Sequence, residues 1–168
     1  MARPQLVAVD TNVLLLLAGR DEDTQDAWKT IRERMNPMQF LVTPTVYEEM
    51  AYKAESEPDL ELRGLAKKAL LELRSRWESQ PVVLNAVQEV TVSQSAAELW
   101  HSGMLPHEER NDAFVLAEAA VLGCILLMTY DSHLRDLDFQ RLGLLCREME
   151  IMVPIIATPS EVVKKFYR

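Results

Sequence analysis

The amino-acid sequence predicts an α/β fold with a mainly parallel sheet. Short apolar stretches typical of strands alternate along the chain with longer amphipathic stretches typical of helices, which is the pattern of βα units. Two of the apolar stretches, at 5–9 and 124–129, are followed closely by an aspartate, Asp10 and Asp131. Ligands of open parallel sheets bind just beyond the carboxyl ends of the strands, so these two aspartates indicate the candidate functional centre.

The first half of the chain predicts two strands and four helices. A strand at 5–9 leads into a short helix at 11–18, which Gly19 ends. Apolar periodicity, cap residues and proline positions predict the other elements, which are a helix at 24–35, a strand at 39–43, a helix that begins at Pro44 with Thr43 as its cap, and a long helix at 59–78.

The second half continues the same alternation. The helix predicted at 112–122 is apolar almost all round, which indicates that it is buried. The predicted elements in order are a possible strand at 81–84, a helix at 93–103, a loop at 105–110, the buried helix with Asn111 as its cap, a strand at 124–129, a helical or irregular stretch at 132–149, a last strand at 152–156 and a closing helix that opens at 158–161.

Length and composition indicate one globular domain over residues 1–168. Hydrophobic residues make up 48% of the chain, which suits a normal core. No apolar run approaches the ~20 residues of a membrane span, and the first five residues do not resemble a secretory signal. Two cysteines, Cys124 and Cys146, lie among apolar neighbours and are predicted to be buried, reduced thiols. We therefore expect a cytoplasmic protein without a membrane partner.

The net charge argues against one class of function. Eighteen basic and 26 acidic residues give a net charge of −8. A protein that binds nucleic acid non-specifically through a broad basic surface is therefore not expected. A nucleic-acid enzyme remains compatible with this charge, because a cluster of carboxylates that holds metal ions itself adds negative charge.

Four acids stand out by their positions in the predicted elements. Asp10 and Asp131 end strands, Asp112 lies in the first turn of the buried helix, and the fourth is Glu48 or Glu49. Two carboxylates ~4 Å apart repel by roughly 1 kcal/mol in water and by ~4 kcal/mol at an effective dielectric of 20. A cluster of them therefore predicts a bound cation, and oxygen ligands favour Mg²⁺ or Mn²⁺. No cysteine and histidine set has zinc spacing, and the three histidines are scattered.

Helix geometry leaves the choice between Glu48 and Glu49 open. At ~100° per residue, the two flank the apolar face of their helix almost equally, on opposite sides. Residues 45–48, TVYE, match a capping box, which would give Glu48 a structural role.

Several motifs together resemble the PIN-domain family, which includes the toxin ribonucleases of toxin–antitoxin pairs. The motifs are VDTNVL at 9–14, TPTVYEEM at 43–50, RNDAFVLA with AA at 110–120, LMTYD with a leucine at 127–134, and TPSE at 158–161. No single motif is specific, and their order and context carry the resemblance. It covers nearly the whole chain and implies a three-layer α/β/α fold with Asp10 and Asp131 on adjacent strands.

The resemblance implies a role for each motif residue. The metal ligands and catalytic acids would be Asp10, Glu49, Asp112 and Asp131, where Glu49 is selected because a large apolar residue follows the acid of the second motif. Asn12 and Thr129 would support the site. The implied activity is Mg²⁺- or Mn²⁺-dependent hydrolysis of RNA, with homodimers and an antitoxin protein as implied partners. The segment 53–80 is longer than in the compact toxins.

Three alternative classes are weighed against this interpretation. A haloacid-dehalogenase-type phosphatase has a second aspartate two residues after the first, where this chain has Asn12. A phospho-accepting receiver would need a well-placed lysine after a late strand, which the chain lacks. A binding module that kept the PIN fold without catalysis differs only in activity, and the four acids favour an enzyme.

Two further predictions concern surfaces. Arg63, Lys67, Arg74 and Arg76 give the helix at 59–78 a local positive charge, which is either a solvated face or a rim that contacts nucleic-acid phosphates through Arg63 and Lys67. The helices at 24–35 and 44–54 carry large apolar side chains that would serve either the core or a protein interface: Trp28, Met35, Met50 and Tyr52.

Overall fold

Five parallel strands form the central sheet of the computed structural model, which describes residues 3–166. The strands are β1 (Gln5–Val9), β2 (Met38–Val42), β3 (Ser79–Pro81), β4 (Leu126–Met128) and β5 (Ile155–Ala157). Their order in the sheet is β3-β2-β1-β4-β5, and every neighbouring pair is parallel. The strand order therefore reverses between β1 and β4, which are direct neighbours.

Helices cover both faces of this sheet and complete a three-layer α/β/α fold. Within residues 3–166 they are α1 (Thr11–Ala18), α2 (Glu22–Arg34), α3 (Pro44–Ser56), α4 (Leu60–Glu72), α5 (Ala86–His101), α6 (Arg110–Val121), α7 (Ser132–Arg135), α8 (Phe139–Glu148) and α9 (Pro159–Phe166). The α/β architecture and the parallel sheet predicted from the sequence are confirmed. None of these helices has both the length and the hydrophobicity that a bilayer-spanning segment needs.

The core forms where β1 and its neighbours are covered by helices on both faces. Val7, Ala8 and Val9 of β1 are buried, as an apolar run on a sheet covered from both sides must be. Helix α6 is buried along most of its length, as its all-round apolar pattern predicts. Cys124 and Cys146 are free and buried, and burial raises the pKa of the Cys124 thiol to about 12.

The predicted helix at 59–78 is wrong at its C-terminal end. Helix α4 stops at Glu72, although the apolar pattern continues and Leu73 and Trp77 are both buried. The chain turns instead, with the Ser79 amide donating to the Leu73 carbonyl at 2.8 Å, and enters β3. Pairing of β3 with β2 thus overrides the helical periodicity. The strand predicted at 81–84 lies two residues too late for the same reason.

Helix caps account for most of the other corrections. Helix α2 begins two residues earlier than predicted, because Asp21 accepts hydrogen bonds from Thr24. Helix α5 begins at Ala86 instead of residue 93, because Asn85 and Gln88 form a capping box. Neither Thr43 nor Asn111 caps a helix through its side chain, since Thr43 makes no cap hydrogen bond and α6 already begins at Arg110.

The C-terminal elements agree with the sequence in kind and differ in extent. Strands β4 and β5 are three residues each, shorter than the stretches predicted at 124–129 and 152–156. The stretch 132–149 resolves into α7 and α8, each capped by an aspartate. The closing helix begins as predicted, with Thr158 and Glu161 exchanging two hydrogen bonds in a capping box.

Candidate active site

The two aspartates that end strands meet at the point where the strand order reverses. Strands β1 and β4 pair with Val9 opposite Met128, and the Asp10 amide donates to the Met128 carbonyl at 3.0 Å. Asp131 follows β4 by three residues and caps α7 through a 2.7 Å hydrogen bond from the His133 amide. Open α/β sheets bind ligands at this kind of switch point.

Asp10 is buried, with 6% of its surface exposed, and both of its carboxylate oxygens accept hydrogen bonds. One oxygen accepts the Thr11 amide at 2.7 Å. The other accepts the Thr129 hydroxyl at 2.7 Å and the Asn12 amide group at 3.1 Å. Asp10 is therefore held in one orientation by groups from the start of α1 and from the end of β4.

Asn12 and Thr129 also join the two strand ends to each other. The Asn12 carbonyl oxygen accepts the Tyr130 amide at 3.0 Å, and its amide nitrogen donates to Thr129 Oγ1 at 3.2 Å. Thr129 Oγ1 in turn accepts the Asp131 amide at 2.9 Å. The two residues that the sequence suggested as supports thus contact Asp10 and the backbone that leads to Asp131.

Glu49, and not Glu48, lies beside Asp10. Thr11 Oγ1 donates to Glu49 Oε2 at 2.9 Å, and the Glu49 charge contributes to the raised pKa of Asp10. Glu48 is exposed, and its charge acts on Glu118. The suggested capping box at 45–48 is wrong, because Thr45 lies inside α3 and its hydroxyl donates to Glu118 at 2.7 Å.

Asp112 approaches the same place from the first turn of α6. Within the described residues its Oδ2 atom is buried and has no hydrogen-bond partner. The pKa of Asp112 is raised to about 7, mainly by burial and also by the neighbouring charges of Asp131, Glu109 and Asp10, while His133 lowers it. A half-buried carboxylate with an unpaired oxygen and several anionic neighbours is a good ligand for a cation.

The pKa of Asp10 is raised to about 6, and burial is again the largest cause. The hydrogen bonds from Thr129 and Thr11 lower this pKa, and the charges of Glu49 and Asp131 raise it. The net shift is upward despite good hydrogen bonding, so the site disfavours the charged form of Asp10. The charges of Glu49 and Asp131 act on Asp10, and the charges of Asp131 and Asp10 act on Asp112, so Asp10 is the acid that links the other three.

Two residues at this centre were not predicted from the sequence. Ligand atoms of Glu109, Asp112 and His133 all lie within 4.8 Å of one another. His133 Nδ1 is 3.5 Å from Glu109 Oε1 and 3.7 Å from Asp131 Oδ1. The view that all three histidines are scattered is therefore wrong for His133. Its position two residues after Asp131, at a helix start, was the available signal.

The donor set suits a divalent metal ion that prefers oxygen. Asp10, Glu49, Asp112 and Asp131 present carboxylates, and burial together with neighbouring carboxylates raises the pKa values of Asp10 and Asp112, so further negative charge is disfavoured there. A cation would relieve that excess and would engage the unpaired Oδ2 of Asp112. The residues present therefore fit Mg²⁺ or Mn²⁺.

A comparison with protein-family models finds a match to the PIN domain over residues 7–140. The chain belongs to the PIN-domain family. The match runs from β1 to the first turn of α8 and includes all four acids of the centre. A comparison with curated proteins finds no significant match.

A solved structure has the same fold as this PIN domain. It is the crystal structure of VapBC2 from Rickettsia felis bound to a DNA fragment from their promoter. The likeness has a TM-score of 0.60 at 11% sequence identity and covers 90% of this chain and 98% of the other. At this identity the comparison establishes the fold.

The two basic residues predicted to contact nucleic acid lie on α4, at the other end of α1 from Asp10. Leu65 of α4 packs beside Gly19, and Lys68 donates to the Ala18 carbonyl at 2.6 Å. Helix α4 therefore contacts the C-terminal end of α1. Arg63 is half-buried and its Nε donates to the Glu57 carbonyl at 2.7 Å, while Lys67 is exposed. The structure does not bring Arg63 and Lys67 to the four acids.

Proposed function

We propose that this PIN-domain protein is a divalent-metal-dependent endoribonuclease that hydrolyses phosphodiester bonds. The observation that carries the proposal is the convergence of Asp10, Glu49, Asp112 and Asp131 on the carboxyl edge of β1 and β4. Four carboxylates at one centre repel one another, and a bound cation would relieve that repulsion and attract the anionic phosphate of the substrate.

The chain's own residues would divide the work by position. The four carboxylates would hold one or two Mg²⁺ or Mn²⁺ ions. When bound, such ions would stabilise the charge of the phosphodiester transition state and lower the pKa of the attacking water. Thr129 and Asn12 orient the Asp10 carboxylate, and Thr11 orients Glu49. No side-chain nucleophile is needed.

RNA is the substrate class that the resemblance to the toxin ribonucleases favours. The likeness to VapBC2 supports a place for this protein in a toxin–antitoxin pair, with an antitoxin protein as its partner. Because the net charge is −8, binding of the substrate would depend on the metal centre and on local groups more than on the general field of the protein.

The test is cleavage of a labelled single-stranded RNA, and of DNA of the same sequence, with Mn²⁺, with Mg²⁺ and with chelator. We expect cleavage of RNA with metal only. Glu49→Gln and Glu48→Gln form a matched pair on one helix, and we expect the first to lose about 100-fold or more in rate and the second far less. A preparation free of partner protein that cuts neither substrate with either metal would falsify the nuclease proposal.

We also propose that the protein associates with itself or with a partner protein. Two of the four large side chains suggested for an interface are core residues, since Trp28 is 3% exposed and Met50 is fully buried. Tyr52 is 67% exposed and could contact a second protein. Sedimentation at high micromolar concentration tests the homodimer, and a monomer there would contradict it.

A further inference from the structure

A cavity of about 470 Å³ opens beside Glu49, between α3 and the start of α6. Glu49 belongs both to the wall of this cavity and to the acidic centre. Tyr52 and Phe114 supply two aromatic walls, and Glu48, Arg110 and Asn111 also line the cavity. We call it the Tyr52 cavity. A chain whose phosphodiester lies at the acids would have a neighbouring nucleotide within reach of it.

The aromatic groups of the Tyr52 cavity are available to a ligand. Tyr52 is 67% exposed on α3, so core packing does not account for it. Phe114 is half-buried in α6, and the Arg110 guanidinium lies 5.9 Å from the centroid of its ring. Exposed rings beside a guanidinium are the groups on which nucleobases stack, because every base presents a π-face.

The charged lining of the cavity, Glu48, Glu49 and Arg110, favours a polar ligand such as a nucleotide over an apolar protein side chain. Arg110 is exposed and makes no ion pair within residues 3–166, although the centre beside it is acidic. Its guanidinium is therefore free to contact a phosphate on the strand that leaves the acids. An apolar peptide would leave this charge and Asn111 without a suitable partner.

We propose that the Tyr52 cavity binds the base of a nucleotide next to the cleaved phosphodiester of single-stranded RNA. The base would stack on Tyr52 and Phe114, and Arg110 would contact the adjoining phosphate. This inference rests on the proposed nuclease function and adds to it the site that holds the substrate strand.

The experiment is single-turnover cleavage with Mn²⁺ over a range of protein concentrations, after the cleavage site of the wild type has been mapped on a short RNA. The half-saturating concentration reports binding, and the maximal rate reports the chemical step. Tyr52→Ala should raise the half-saturating concentration about 5- to 150-fold, which is the range for loss of one stacked base, and should change the maximal rate little.

Tyr47→Ala is the matched control, since Tyr47 lies on α3, is 43% exposed and does not line the cavity.

RNAs that lack one base at a single position identify the nucleotide concerned. Removing the base that stacks on Tyr52 should weaken binding to the wild type and should weaken binding to the Tyr52→Ala variant hardly at all. Arg110→Gln is a second variant, and it should weaken binding and reduce the salt dependence by about one ion. Circular dichroism melts check that each variant is folded.

Several outcomes would overturn the proposal. Equal losses in Tyr52→Ala and Tyr47→Ala would indicate a diffuse surface effect, and fully additive losses for Tyr52→Ala and every missing base would show that no base lies on Tyr52. Unchanged RNA binding combined with loss of self-association in Tyr52→Ala would show that the cavity serves a protein contact. In each case wild-type cleavage would leave the nuclease function standing, whereas a wild type that neither binds nor cuts RNA would remove both proposals.

Discussion

Asp10 combines full hydrogen bonding with an unfavourable location for a charge. Its carboxylate accepts hydrogen bonds from Thr11, Thr129 and Asn12, yet burial raises its pKa to about 6. Burial therefore raises the pKa of this residue by more than its hydrogen bonds lower it. A residue arranged in this way stabilises a bound cation more than it stabilises the metal-free fold.

The Asp10→Asn variant tests this balance. Asparagine keeps the shape and the oxygen that accepts the Thr11 amide, removes the buried charge, and replaces the oxygen that accepts from Thr129 and Asn12 by an amide nitrogen. We expect the metal-free variant at pH 8 to melt at the same temperature as metal-free wild type or higher, and to lose most of the stabilisation that Mn²⁺ gives. Thermal melts with Mn²⁺ and with chelator measure both effects. A destabilised variant with a full Mn²⁺ response would remove Asp10 from the metal site.

At the scale of elements, the buried carboxylate of Glu118 joins two helices that carry site residues. Glu118 lies on α6 with Asp112, is 3% exposed, and accepts the backbone amide and the hydroxyl of Thr45 at the start of α3. Helix α3 carries Glu49. Glu118 therefore sets the position of one acid relative to another without touching either.

Substitution of Glu118 should affect stability and metal binding together. Glu118→Ala leaves the Thr45 amide without its acceptor, so we expect a loss of about 1–3 kcal/mol in the free energy of unfolding and a weaker affinity for Mn²⁺. Glu118→Gln keeps one acceptor oxygen and should lose less of both. Urea unfolding and a metal titration of the two variants measure these effects. Equal metal affinity in wild type and Glu118→Ala would show that α3 needs no anchor on α6.

Helix α4 allows a test of the remaining prediction for a basic surface. If Arg63 and Lys67 contact phosphates, the double charge reversal Arg63→Glu and Lys67→Glu should weaken RNA binding and flatten its dependence on salt concentration. Lys164→Glu with Lys165→Glu on the exposed end of α9 is the control for net charge. Because Arg63 already binds the Glu57 carbonyl, Lys67→Glu alone serves as the variant least disturbing to the fold. A salt slope equal to that of the control pair would assign α4 a structural role only.

For the whole molecule, the acidic centre makes the stability of the metal-free protein dependent on pH. The pKa of Asp10 is raised to about 6 and that of Asp112 to about 7, both from 3.8. Between about pH 4 and pH 7 the folded chain therefore retains protons that the unfolded chain has lost. Linkage then requires that the contribution of these groups to the free energy of unfolding falls as pH rises through this window.

We expect the free energy of unfolding of wild type to fall with rising pH relative to that of Asp10→Asn. Without metal, the variant should gain stability relative to wild type by on the order of 1–3 kcal/mol as pH rises from 5 to 8, because it has no carboxylate to ionise at the buried position. Saturating Mn²⁺ should reverse the trend in wild type, since metal binds the ionised form. Urea unfolding at several pH values with chelator measures the difference, and parallel profiles for the two proteins would contradict the raised pKa.

Much of the architecture followed from the sequence because local patterns determined it. The apolar run of β1, the alternation of strands and helices and the start of the closing helix at 158–161 are all read from neighbouring residues, and the structure has them. The candidate acids at strand ends followed for the same reason, since the chain itself places Asp10 after β1 and Asp131 after β4.

Only the tertiary structure decided the relations between residues that are distant in the chain. The choice of Glu49 over Glu48 depends on how α3 docks against α1, where Thr11 binds Glu49, and helix periodicity alone left the two equivalent. His133 and Glu109 join the centre because α6 and α7 begin at the same sheet edge, and the sequence offered a signal only for His133, which follows Asp131 by two residues. Helix α4 ends early because β3 must pair with β2. Periodicity reports which face of an element is buried, and docking between elements decides which side chains meet.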